Sequence, residues 1–431
     1  MAIYAFKLRV PQARGEYEGW KDVREHLGQV PLQTVAIELA RQVLVEAMES
    51  EADELCGGGK GKHLVGARKA SRHGRIPSKV PFGAALMEVR RPRVRREGRE
   101  VPLTTYLAAQ QAAFSPEVAL EVCIKGTSQR GFAGVSRALQ NTHDGFRHRS
   151  KSTVNRLFVR AAEAVRSKIQ NRSLGGVRYL VIYIDGVVEQ GHHVIAAMGL
   201  TEDGEKVVLG LREGSSESSA VCQELLADLL KRGLSIGNHV LAVIDGGKGL
   251  AAALRAVFGR RVTIQRCRAH KLRNILEKVP LCERDQLKKD LDKAWLDPDP
   301  RRAKRMLEMI ARRLEAWKRR PAANSLREGL SETLACNFLG LPTDSALTRT
   351  LVTTNPLESL YSYHSSVCRR VCRWRSGRMV LRWTATSLAA AEQTLTKFTD
   401  QESLRQLARL LDRRAQATTS PSAPVLLRRP A

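Results

Sequence analysis

Apolar positions follow two rhythms along this chain, and the places where one gives way to the other divide it. Between residues 31 and 55, Val35, Ile37, Leu39, Val43 and Met48 recur at helical spacing and predict an amphipathic helix. Cys56-Gly-Gly-Gly-Lys-Gly-Lys then breaks the pattern and reads as a flexible basic connector. It lacks the Gly-x4-Gly-Lys-Ser/Thr order that a phosphate loop needs after a strand. Residues 60–100 are rich in Arg, Lys and Gly. Within them Leu86-Met-Glu-Val-Arg-Arg-Pro-Arg-Val-Arg-Arg alternates partly at period two, predicting a short strand or ribbon with an arginine face. That face suits phosphate contact and suits equally a solvated edge guarded by charge.

Helical spacing returns over residues 117–165, with helices at Val118–Ile124, at Gly131–Leu139, and from Ser150 onward, where hydroxyl residues can cap exposed amides. In a helix-turn-helix such a start places Lys151, Thr153, Asn155 and Arg156 near DNA. From Arg178 the rhythm becomes that of strands: Tyr179–Ile184, His193–Gly199 and Lys206–Leu211. A helix at Ala220–Lys231, a strand at Val240–Ile244, a helix at Leu250–Phe258 and a strand at Val262–Ile264 follow, which predicts an α/β layer domain. Residues 284–341 read as helical throughout, with Trp295 and Trp317 among many charges, and form an all-α insertion into that domain. Asn355-Pro356 supplies a cap and a first-turn proline for a helix that opens around Glu358.

Composition adds length and charge. At 431 residues, 43% hydrophobic, the chain is long enough for two or three domains and a sizeable core. Lys and Arg total 72 against 44 Asp and Glu, a formal charge of +28 spread along the whole length, which fits a protein that binds phosphates. No apolar run approaches the roughly eighteen residues of a membrane span, and the first residues lack the order of a secretory signal. The eight cysteines are scattered and favour reduced thiols in a cytoplasm. Cys368 and Cys372 have no second pair at zinc-finger spacing.

Against that charge, three acids stand out. Asp185 and Asp245 follow apolar β-branched runs and precede glycine, so each is read as leaving a buried strand for a turn; Glu358 sits at a helix start. Phosphodiester chemistry can use two divalent ions about 3.5–4 Å apart, one for the attacking and one for the leaving oxygen. Magnesium suits a few carboxylates with water and phosphate completing its shell. Asp185 is placed to bridge both ions, with Asp245 and Glu358 each holding one. A second dense segment is Gln265-Arg-Cys-Arg-Ala-His-Lys-Leu-Arg-Asn. Cys267 and His270 have half of a metal-ligand spacing without a second pair nearby. Arg266, Cys267, Lys271 and Arg273 are therefore read as a patch against DNA, and His270 as a hydrogen-bonding partner of the carboxylates; a core histidine capping the helix is the competing reading. Arg369, Arg370, Arg373, Trp374, Arg375 and Arg378 suit phosphate contact and base stacking, or else an exposed helix face around a buried Trp374.

Taken in order, these motifs resemble the Mutator-type bacterial insertion-sequence transposases. The resemblance is carried by Ile184-Asp-Gly, Leu209-Gly-Leu-Arg-Glu-Gly, Lys231-Arg-Gly-Leu and Ile244-Asp-Gly-Gly-Lys-Gly-Leu. Gln265-Arg-Cys-Arg-Ala-His, Thr353-Thr-Asn-Pro-Leu-Glu-Ser, Arg373-Trp-Arg-Ser-Gly-Arg-Met and Leu381-Arg-Trp extend it, over residues 118–396. It implies an RNase H-like mixed sheet with flanking helices, Asp185, Asp245 and Glu358 as catalytic triad with His270 beside them, and Cys267 with His270 as a Cys-x2-His signature. It further implies Mg2+ (or Mn2+), cleavage at element ends, and transfer of 3′-hydroxyls into target DNA. Double-stranded DNA, as terminal inverted repeats and target, is the expected partner, handled by a homodimer or higher oligomer in a bacterial cytoplasm at the nucleoid. The expected organisation is a helical and basic region over 1–110 and a helix-turn-helix-like domain over 111–170. A catalytic core over 175–282 and 351–412 follows, split by an α-helical insertion over 283–350, with a disordered basic tail over 413–431. A nuclease or resolvase without strand transfer, and a non-catalytic DNA-binding regulator, are the alternatives.

Overall fold

The computed structural model describes residues 7–9, 16–18, 32–58, 70–83, 85–112, 116–141, 146–189, 191–214 and 218–419. Most of residues 1–30, the greater part of the basic Gly-rich connector and residues 420–431 of the expected tail lie outside them. Contacts divide the chain into two units, Met1–Ala161 and Ala162–Ala431.

In the first unit, β1 (Lys7–Arg9) and β2 (Glu16–Glu18) pair antiparallel. The expected helix is α1 (Leu32–Cys56); Ile37 and Met48 of its apolar positions pack into a core, whereas Val43 is exposed. The arginine-rich ribbon is β4 (Ala85–Arg96), paired antiparallel with β3 (Ser71–Phe82), β5 (Arg99–Val101) and β6 (Phe146–His148). Its alternation is real: Ala85, Met87, Val89 and Val94 pack with Met48 and Ala52 of α1 in one core. On the other side Arg91 and Arg93 both donate to Glu100, so part of the arginine face is neutralised within the sheet.

Helix α2 (Thr104–Ala112) leads to α3 (Pro116–Ile124), α4 (Gln129–Asn141) and α5 (Lys151–Asn171). Ala119, Phe132 and Val154, one from each of the last three, form a small shared core. The connection before α5 is not the short turn of a simple helix-turn-helix. It contains β6, which extends the sheet at β4.

The second unit is built on a five-stranded mixed sheet in the order β11-β10-β7-β8-β9. Strands β7 (Tyr179–Glu189), β8 (His192–Thr201) and β9 (Lys206–Gly214) form an antiparallel meander. Strands β10 (Val240–Ile244) and β11 (Val262–Arg266) add to it in parallel. Parallel strands covered on both sides read as unbroken apolar runs, which explains why these stretches are legible without alternation. Ile182, Ile184, Ala242 and Ile244 face α6 (Ser219–Lys231) and α7 (Lys248–Phe258). Val181, Tyr183, Leu241 and Val243 face the opposite layer, which contains α14 (Ala346–Leu351), α15 (Asn355–Cys368), α16 (Gly377–Glu392) and α17 (Gln401–Thr419).

Between α8 (Arg268–Leu276) and α14 the described chain is helical: α9 (Leu281–Trp295), α10 (Pro300–Ala316), α11 (Arg320–Arg327), α12 (Leu330–Thr333) and α13 (Ala335–Leu339). Leu291, Trp295, Leu307, Ile310, Leu314 and Leu326 give it its own core, while Trp317 is exposed.

Three boundaries differ from the sequence reading. Strand β7 does not end at Asp185 but continues to Glu189, because β8 pairs with it along the whole length, including Asp185↔Ala196. Residues 413–419 are not tail; they complete α17, whose Leu404, Leu407 and Leu411 are fully buried. Thr354, not Asn355, is the capping position of α15. Among the described residues no helix is long and apolar enough to cross a membrane.

Candidate active site

Register brings the first two acids together. Ile184 pairs with Ile244 across parallel β7 and β10, so the next residue on each side is Asp185 and Asp245. Side chains alternate between faces along a strand. Since Val181 and Tyr183 face the α15 layer, Asp185 shares that face. It is nearly buried, at 8% exposure. Its Oδ1 accepts the Gly186 amide at 2.9 Å. Asp245 opens the β10–α7 turn, and its Oδ1 accepts the Gly247 amide at 2.8 Å. Gly246 between them has φ +111°, and a Cβ there would lie 2.1 Å from the Arg266 Nε. Only glycine allows that turn while the guanidinium packs against it.

The third acid arrives on α15. Glu358 lies in its first turn, and the fully buried Thr354 donates its hydroxyl to Glu358 Oε1 at 2.6 Å. One turn further on, the Tyr361 hydroxyl donates to the main-chain carbonyl of Asp185 at 2.7 Å. The helix that carries Glu358 is thereby tied to the strand residue that carries the first acid. All three carboxylates have one oxygen held by a local donor, so their orientation is set by the fold.

His270 and Cys267 stand beside Glu358. Cys267 caps α8 and is buried; its main chain donates to Ile244, at 2.7 Å, one residue before Asp245. Its Sγ receives the Thr354 amide and lies against the Thr354 hydroxyl, each at 3.4 Å. His270 Nδ1 is 3.4 Å from that hydroxyl and 3.9 Å from Glu358 Oε1. The hydrogen bond to Cys267, followed by the charges of Cys267, Asp185 and Glu358, pushes His270 up to about 9 despite its burial. Burial alone would raise the Cys267 thiol; bonds to His270 and Thr354 outweigh it and hold the thiol below its ordinary range. Among the described residues, Cys267, His270 and Glu358 are the one group of three potential metal ligands whose donor atoms all lie within 4.8 Å of each other. Asp185 and Asp245 are outside that group.

Three residues expected to meet DNA are turned inward. Arg266 is 7% exposed and donates to the Glu328 carbonyl at 3.0 Å. Lys271 is fully buried and donates to the same carbonyl. Burial, then the nearby Arg266, brings its ammonium down to about 8. Cys267 has no exposed surface. Arg266 and Lys271 anchor the sheet edge to the helical region, a role the density of charge in this segment conceals, while Cys267 joins Ile244 to Thr354. Arg273 is exposed.

Lys151, Asn155 and Arg156 are exposed on the first turns of α5. Thr153 is half-buried, and its amide is capped by Ser150 at 3.2 Å, as the hydroxyl pattern suggests. Residues 369–376 are an irregular connection rather than a helix face, with Arg369, Arg370, Arg373 and Arg375 exposed and Trp374 packed against the core. Arg378 is exposed and pairs with Glu163 at 2.7 Å.

Sequence reasoning missed Thr354 and Tyr361. A hydroxyl four residues before a helix-start carboxylate was legible as a pair on one face; the Tyr361 bond spans 176 positions and carries no local signal. Arg268 was also missed. It is buried and donates to the carbonyls of Thr333 and Trp295 at 3.0 and 3.3 Å.

A family model described as "Transposase, Mutator family" matches residues 22–375. The chain is 31% identical over 169 residues to the transposase for insertion sequence element IST2 of Acidithiobacillus ferrooxidans, covering 39% of this chain and 55% of that one. It is 27% identical over 329 residues to the transposase for ISRM5 of Rhizobium meliloti, covering 75% and 79%. With the transposase for IS1081 of Mycobacterium tuberculosis it shares 28% over 242 residues, covering 54% and 56%. The first and third of these matches span little more than half the length of the relative. With most of its own length matched by the family model, the chain belongs to the Mutator family of transposases.

Proposed function

We propose that the chain is a DNA transposase. In this reading it binds the terminal inverted repeats of its element, cleaves DNA at the ends and joins the freed 3′-hydroxyls to target DNA, working as a homodimer or higher oligomer. The mixed sheet with helices on both faces supports an RNase H-like core. The observation that carries the reading is the point where β10 ends beside β7: there Asp185 and Asp245 are adjacent in register, and the helix of Glu358 is tethered to Asp185 through Tyr361.

The donor set fits magnesium, with manganese as substitute: three carboxylates are hard oxygen ligands, each with one oxygen already oriented by a neighbouring amide or hydroxyl. Asp185, Asp245 and Glu358 would hold two such ions. When bound, the ions would neutralise charge on the phosphate oxygens and make attacking water more acidic. The chain's own groups do the rest. His270, raised first by its bond to Cys267 and then by the charges of Cys267, Asp185 and Glu358, lies 3.9 Å from Glu358 Oε1 and would help to position it. Exposed Arg369, Arg370, Arg373, Arg375 and Arg378 offer phosphate contacts beside α15. Lys151, Asn155 and Arg156 offer a second surface for DNA.

The test is a cleavage and joining assay on DNA carrying the element ends, with Asp185→Asn as control. Joined product that depends on Mg2+ and is lost at least about 100-fold in the variant is expected, a loss at the upper limit of what outer-shell changes produce. Cleavage without any joined product would instead make the chain a nuclease, and full activity of Asp185→Asn would overturn the site.

A further inference from the structure

We propose that Cys267, His270 and Glu358 form a second cation site, for a thiophilic divalent ion of the zinc class. Resting on the transposase reading, we further infer that filling it withdraws Glu358 from the magnesium ions. Sulfur and imidazole ligands favour zinc over magnesium, which takes oxygen almost exclusively. The donors also converge: the three atoms lie within 4.8 Å of one another, and His270 Nδ1 is 3.9 Å from Glu358 Oε1. Zinc bonds of about 2.0–2.3 Å in a tetrahedron require donor separations of roughly 3.3–3.8 Å. Side-chain adjustments of less than about 1 Å therefore close the site.

The surroundings are those of a metal centre's outer shell. Thr354 gives its amide to Cys267 Sγ at 3.4 Å and its hydroxyl to Glu358 Oε1 at 2.6 Å. Outer donors of this kind orient ligands before a metal arrives. Cys267 at the capping position of α8 sits where the positive helix end favours the thiolate, the form that binds a metal. The side chains of His270 and Glu358 are 23% and 35% exposed, which gives an ion an entry and leaves room for water as fourth ligand. The buried thiol alone is closed to solvent.

Cobalt(II) reports such a site by a thiolate-to-metal charge-transfer band. The full chain, metal-stripped and with exposed Cys282 and Cys372 replaced by serine, is titrated with cobalt and then with zinc. One equivalent with a sulfur band, displaced by zinc, is expected; the band vanishes in Cys267→Ser and His270→Gln and persists in Asp185→Asn. Zinc-edge X-ray absorption on the unmutated chain needs no variant to fold and should find one sulfur in the shell. No sulfur ligand, or a band that survives Cys267→Ser, overturns the site. Zinc at ten times its dissociation constant should lower Mg2+-dependent cleavage about tenfold by occupancy. Unchanged cleavage with the site spectroscopically full overturns the shared use of Glu358. Absence of cleavage before zinc is added refutes the transposase reading and leaves the spectroscopic result standing.

Discussion

Replacing Lys271 with methionine removes a buried ammonium and keeps most of the volume of its stem. The lysine has no exposed surface, and burial brings it from 10.5 down to about 8. A lysine depressed in the folded state binds its proton more weakly there than in the unfolded chain. Its stabilising contribution is therefore full above about 10.5 and lost as pH falls through about 8. At neutral pH the fold bears the whole cost of the charge, at most about 3 kcal/mol for a displacement of this size. Methionine escapes that cost. It does not orphan the Glu328 carbonyl, which keeps the Arg266 guanidinium at 3.0 Å. Urea unfolding of the two proteins should find Lys271→Met more stable at pH 7, by about 1–3 kcal/mol, with the gap closing toward pH 10.5. The salt dependence of DNA binding should not change, since a buried ammonium neutralises no phosphate. A variant less stable than the parent at pH 7, or one whose log–log salt slope falls by about one unit, would refute the assignment of Lys271 to the interior.

Arg375→Ala should reduce that slope by about one unit, because Arg375 is exposed on the connection after α15; an unaltered slope would remove this segment from the DNA surface. Tyr361→Phe deletes the 2.7 Å bond to the Asp185 carbonyl. It should cost about 1 kcal/mol in denaturant unfolding and lower cleavage more than that loss explains; parental rates would show that the tether does not align the acids. Gly377→Ala places a methyl 1.1 Å from Glu213 Oε1, so the start of α16 or the carboxylate must move. A loss of about 1–3 kcal/mol in thermal unfolding is expected, and an unchanged melting temperature would contradict the packing.

Much of the second unit was legible in sequence because its strands are buried on both faces and its helices carry regular apolar stripes. The strands from Tyr179 to Arg266, the helical stretch after Arg284 and the helix at Glu358 follow from local pattern alone. The arginine-rich ribbon was also legible, since its alternation reflects a single buried face. What failed were judgements about partners. Charge in the segment from Arg266 to Arg273 suggests a DNA surface, yet Arg266 and Lys271 turn inward because the carbonyl of Glu328, about sixty positions later, receives them both. Asp185 looks like a strand end because glycine follows it; β8 supplies pairing that carries the strand on to Glu189.

The sequence by itself determined the elements and the chemical character of the site: three acids in apolar or helix-start contexts, a Cys-x2-His segment and a large positive charge. Periodicity and composition are local properties, and local sterics and burial suffice to express them. Only tertiary structure decided which groups meet. Register set Asp185 beside Asp245, Tyr361 fastened α15 to β7, and the Thr354 hydroxyl joined Cys267, His270 and Glu358 into one cluster. Apart from the Thr354–Glu358 bond, four positions apart on one helix face, those contacts join residues 60 to 176 positions apart. A hydrogen bond across such a gap depends on how the sheet and its helices pack, and no pattern along the chain encodes it.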